Sequence, residues 1–157
     1  MESLTGSLQQ ATLSEVLPQS HSIPSSLTKS YKVLNVETDC WVQLYGDCVL
    51  IGISQVGGKV GTFLKCDVEE TVMDPKPRFT VTTLLGKHGD NVLEVYARRI
   101  TERIAQLRSD RSHPCPSVLL AISLSKKQPK QQGPEMFRLL VDLLVDLYKE
   151  AILQVQA

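Results

Sequence analysis

Large apolar residues along the first half of the chain come in short runs divided by brief polar breaks. Ser30–Glu37 (SYKVLNVE), Cys40–Tyr45 (CWVQLY) and Cys48–Val56 (CVLIGISQV) are rich in β-branched and aromatic side chains, and Thr38–Asp39 and Gly46–Asp47 separate them. This pattern predicts strands joined by hairpins. The third run is apolar almost without alternation, which predicts a central strand covered on both faces. Gly61–Val68 and Arg78–Gly86 read as two further strands, parted by a polar turn at Met73–Pro77.

The period then changes. From Asp90 to Ser109, Leu93, Ala97, Ile100, Ile104 and Leu107 recur at spacings of three and four, one face of an amphipathic helix. Asn91 is the expected N-cap and Glu94 its capping-box partner. Glu94, Arg98 and Glu102 form a charged ladder on the opposite side. Ser109–Pro116 breaks this helix, Ser117–Leu124 (SVLLAISL) returns to an apolar strand, and Lys126–Gly133 is a polar loop. A last helix runs from Pro134, suited to a first helical position, to Gln156. The order β-β-β-β-β-α-β-α predicts an α+β domain: a mainly antiparallel sheet of about six strands with two helices packed against it. Residues 1–29 are rich in Ser, Gln and Thr and read as a disordered arm; residues 30–157 form the single domain.

The last helix is wider in its apolar arc than seating on a sheet requires. Phe137, Leu140, Val141, Leu144, Tyr148 and Ile152 make one stripe, and Met136, Leu143 and Leu147 carry it round a flank, with Leu139 beyond. That flank is either buried against the other helix or covered by another chain. Met136, Leu139, Leu143 and Leu147 are accordingly the candidate partner-binding residues.

Composition narrows the chemistry. Lys and Arg number 17 and Asp and Glu 17, so there is no basic excess to attract nucleic acid or an anionic membrane. Cys40, Cys48, Cys66 and Cys115 match no zinc-ligand spacing and read as reduced, mostly buried thiols, and no cofactor motif is present. The cluster Gly57, Gly58, Lys59 and Gly61 invites a phosphate-binding reading. A Walker loop, however, has Ser or Thr after its lysine and leads into a helix; here Val60 follows and the next segment is a strand. The glycines are read as the turn of a hairpin. His88 and Asp90 stand close enough in sequence to suggest an acid–base pair, but no nucleophile motif accompanies them. The expectation is a protein that is not an enzyme.

The ordered blocks CVLIGISQVGGKVGTFLKC, VTTLLGKHGDNVLEVYARRI (with its Tyr96-Ala97-Arg98 step), PSVLLAISLSKK and the final helix together resemble the proteasome assembly chaperone 3 family. The long arm, the added Gly58 and the expanded loop before the last helix depart from that pattern, all in loops or the arm, where insertions are tolerated. The resemblance implies a non-enzymatic chaperone of the 20S proteasome α-ring. It would pair with a second small assembly chaperone (chaperone 4-like) or with itself, and transiently bind proteasome α-type subunits. Neither nucleic acid nor membrane is implied as a partner, and the expected location is the cytoplasm, with the nucleus besides. The alternative is another small α+β interaction module, a longin- or profilin-like scaffold in trafficking or cytoskeletal complexes.

Overall fold

Leu34 and Asn35 both take left-handed backbone angles, φ 45° and 64°. They join Ser25–Val33 (β1) to Val36–Leu44 (β2) in a two-residue turn, and positive φ at both central positions matches the twist of a hairpin. The expected break at Thr38–Asp39 lies inside β2, where Thr38 pairs with Tyr31 and Asp39 with Ser30. A leucine in the left-handed region runs against its steric preference, so composition did not mark this turn. The computed structural model describes residues 25–108, 113–127 and 130–156. β1 begins at Ser25, so residues 25–29 of the predicted arm belong to the sheet; the rest of the arm lies outside the described residues.

The remaining elements are Cys48–Ser54 (β3), Thr62–Glu69 (β4), Arg78–Leu85 (β5), Asn91–Leu107 (α1), Ser117–Ser123 (β6) and Gly133–Gln156 (α2). The predicted α+β order holds. The sheet order is β1-β2-β3-β6-β4-β5, with β6 parallel to β3 and antiparallel to β4. This corrects the glycine hairpin. β3 and β4 are not neighbours, and the loop from Gln55 to Gly61 passes over the end of β6. Gln55 N–H donates to the Ser123 carbonyl at 2.8 Å, and Gly61 N–H to Ser123 Oγ at 2.6 Å. Gly57 and Gly58 still supply positive φ, 68° and 77°, but for a span of two strand spacings, about 10 Å. A strand arriving from later in the chain leaves no mark on the loop it slips beneath.

Both helices cover one face of the sheet. Alternate residues of every strand point to it, among them Val42, Ile51, Ile53, Leu64, Val118, Leu120 and Ile122, all essentially inaccessible. α2 lies over β1 and β2, and α1 over β4, β5 and β6. The helices meet through the Tyr96 and Phe137 rings, edge to face at 4.7 Å, and through Arg103 and Asp142 at 2.7 Å. Asp90, not Asn91, caps α1: its carboxylate accepts from the N–H groups of Val92 and Leu93. Glu94 therefore falls one position beyond the expected capping box. Asp and Asn serve equally well as caps, so residue type cannot choose between neighbours.

Candidate interaction surface

The strand register also composes the opposite face, which no helix among the described residues covers. One row runs Trp41–Gly52–Ala121–Phe63–Leu85 across β2, β3, β6, β4 and β5. Beside it runs Gln43–Leu50–Leu119–Lys65. Trp41, Leu50, Phe63 and Leu119 are half-buried, and Leu85 is 64% exposed. The rows beyond are polar. Asp39, Ser54 and Ser123 lie on one side. On the other, Ser117 donates its hydroxyl to Asp67 at 2.6 Å, and Lys65 pairs with Asp67 at 3.2 Å. The face is thus an apolar band with a hydrogen-bonded polar margin, the anatomy of a protein–protein interface.

The centre of the band is small by design of sequence. Gly52 and Ala121 are adjacent, and a Cβ at Gly52 would sit 1.7 Å from Trp41 Cε2. The indole therefore lies directly over the glycine. This cross-strand pair turns a large aromatic flat against the sheet, where it presents its ring rather than its edge to whatever approaches.

α2 is arranged differently from the expectation. Met136 and Leu147 are each 1% exposed and belong to the core; they are corrected from partner-binding candidates to structural ones. The helix is wedged between sheet and α1, so about half its circumference is consumed inside the chain. Leu139 and Leu143 are half-buried and pack on the core. At 100° per residue they lie on the side of Glu150, whose carboxylate meets Lys29 of the edge strand β1 at 2.6 Å. The residues that sequence reasoning missed are Trp41, Leu50, Phe63, Leu85 and Leu119. For Leu50 and Leu119 the signal is the double-sided apolarity of β3 and β6, which predicted cover on both faces of β3 without saying which chain supplies it.

The chemical candidates dissolve into structure. The Asp90 carboxylate is engaged in capping α1 and stands 3.7 Å from Lys87, so it forms no catalytic pair with His88. Burial pushes the Cys40 thiol up to about 12 and also raises Cys66, making both poor nucleophiles. All four cysteines are free. Among the described residues no group of His, Cys, Asp or Glu is placed to hold a metal ion, and no helix is long and apolar enough to cross a membrane.

Comparison with known proteins bears on what such a face is for. No curated protein matches. A chain from the solved structure described as "Crystal Structure of a Novel Chaperone Complex for Yeast 20S Proteasome Assembly" is 15% identical and superposes with a TM-score of 0.58, over 80% of this chain and 98% of that one. This likeness establishes the fold. Residues 51–146 match the family model described as proteasome assembly chaperone 3. The match covers more than half the sequence, from within β3 to within α2, and takes in the glycine loop, all of α1 and the first part of α2: the chain belongs to the proteasome assembly chaperone 3 family.

Proposed function

We propose that this chain is a non-catalytic chaperone of 20S proteasome assembly that works as half of a pair. The open sheet face joins it to a related small chaperone or to a second copy of itself, and the pair transiently holds α-type subunits while the α-ring forms. The family match is the observation that carries the assembly role, and it favours this reading over a trafficking or cytoskeletal scaffold. The apolar band carries the pairing. Sheets pack face to face at about 10 Å through interdigitating side chains, and a flat indole beside Gly52 and Ala121 suits a close approach. A chaperone of this kind requires shape and a reversible interface; by binding one arrangement of subunits better than another it biases their order.

The test is affinity capture of the tagged full chain, with partners identified by mass spectrometry, beside the variants Phe63→Asp and Leu143→Asp. Capture of α-type subunits and a second small chaperone without mature β subunits is the expected result. Phe63→Asp is expected to lose the small chaperone, whereas Leu143→Asp retains it and lowers the melting temperature instead. Loss of the small chaperone by Leu143→Asp alone moves pairing to the flank of α2. Coat or actin components in place of α-type subunits refute the assembly role.

A further inference from the structure

The neutral balance of the whole chain conceals three lysines gathered at one end of the sheet without ion pairs among the described residues. The loop Gln55–Gly61 and the segment that follows β6 are bound together at one end of the sheet. Ser125 N–H donates to Gln55 Oε1 at 3.1 Å, and Ser54 Oγ donates to the Lys59 carbonyl at 2.7 Å. Gln55 is itself buried, and its amide reaches Thr38 Oγ1 and Met136 Sδ. Lys59, Lys126 and Lys127 therefore project from a loop pair fixed to the core. All three are exposed, and none makes an ion pair among the described residues. Val56 and Val60, 43% and 36% exposed, stand beside Lys59. Of the carboxylates at this end, Asp90 pairs with Lys87 and Asp39 accepts the Ser30 hydroxyl. Glu37 stands opposite Lys32 in the β1–β2 register. Glu135 lies in the first turn of α2. At the far end opposite charges meet instead: Asp74 of the loop between β4 and β5 pairs with Arg78 at 3.9 Å, and Glu70 with Arg108 at 3.6 Å.

We infer that this lysine-bearing end is a second docking surface, separate from the pairing face, for an acidic protein segment in which carboxylates alternate with apolar side chains. Unpaired lysines supply the attraction and orient the encounter; the two valines select a segment with something apolar to bury. The loops present no aromatic ring on which a base stacks, which favours a peptide over a single-stranded nucleic acid. Gln55 holds both loops in place beforehand, so little ordering entropy is lost on binding. The inference does not depend on which protein supplies the segment, and so stands or falls apart from the assembly role.

The experiment uses the full chain and a synthetic peptide of glutamates interleaved with leucines, followed by amide chemical shifts and by fluorescence anisotropy. Shifts are expected to cluster at Ser54–Gly61 and Ser123–Lys127. Affinity is expected to fall with added salt, and to fall about tenfold or more in Lys59→Glu/Lys126→Glu/Lys127→Glu, with unchanged melting and unchanged chaperone pairing. If that variant is unstable, Lys126→Gln/Lys127→Gln replaces it with the same expected direction. Shifts spread over Lys29, Lys65 and Lys76, equal binding of a glutamine-for-glutamate peptide, or tighter binding of a single-stranded oligonucleotide at the same residues each overturn the proposal.

Discussion

The two faces of the sheet are built from the same strands, yet they are composed and covered differently. On the covered face, Val42, Ile51, Leu120 and Leu64 stand in adjacent strands and are closed over by α1 and α2. On the open face, Trp41, Gly52, Ala121 and Phe63 make an equally continuous row, and among the described residues no helix lies over it. The covered face is mainly Val, Ile and Leu, with Cys40, Cys66 and Thr38 buried among them. The open face places small residues at its centre, aromatics to either side and bonded polar rows at its margins. The first pattern suits burial that never reverses. The second suits a surface that must remain soluble alone and still fit another sheet, because its polar margin is satisfied in both states.

Leu119 and Leu120 put that contrast to its sharpest test, since they are consecutive in β6 and point to opposite faces. Leu120→Ala removes a side chain with no exposure, and its expected cost to the isolated chain is about 2–5 kcal/mol by chemical denaturation. Leu119→Ala is expected to cost the isolated chain under about 1 kcal/mol while weakening partner association in a titration. Equal losses of stability from the two substitutions would mean that the open face is already packed within the chain, and the comparison would collapse.

Gly52→Ala sharpens the contrast from the other side. The new Cβ collides with Trp41, and a rigid indole has to swing away from the sheet. The expected cost is about 1–3 kcal/mol, in the range for overpacking, without a change on the helix-covered face. Trp41 is the chain's single tryptophan, so emission reports the open face alone. A red shift on Gly52→Ala, and a blue shift when wild type meets its partner, are the expected outcomes. Emission indifferent to both would place the indole outside the interface.

These differences also mark what the sequence made legible. Periodicity placed β3 to β6 and both long helices close to their observed bounds, because a helix or a half-buried strand stamps its repeat on consecutive positions. It merged β1 with the start of β2, since the turn at Leu34–Asn35 has no glycine and Thr38 and Asp39 look like one. It found the glycines of the loop after β3 but not their task, because the insertion of β6 beside β3 is set by contacts distant in sequence. The open apolar face was legible only in disguise. Runs such as CVLIGI and SVLLAI are apolar on both faces, and nothing local says whether the second cover comes from the same chain or another. The wide arc of α2 posed the same ambiguity and resolved the opposite way: Met136 and Leu147 are buried at home, while Trp41 and Phe63 wait on the open side. Net charge was silent for a related reason, since 17 of each sign says nothing of where they gather.

The smallest expected effect lies where the covered face reaches its edge. Lys29 points to the helix side of β1, yet it meets Glu150 of α2 rather than an apolar neighbour. Both side chains are substantially exposed, so the pair fixes the position of α2 over the edge strand more than it holds the fold. The hydrogen bond that Lys29 donates to Glu150 raises the Lys29 pKa above its ordinary 10.5, against a smaller opposing effect of burial. A raised pKa in the folded state means that the contribution is fully present below the ordinary lysine value and is lost as pH rises through the higher one. The difference in unfolding free energy between wild type and Lys29→Met is therefore expected to stay constant from neutral to mildly alkaline pH, to shrink above about 10.5, and to diminish with salt at every pH. A difference that survives both strong alkali and salt would mean that the lysine stem, packed along α2, does the holding, and that this rim of the covered face is apolar after all.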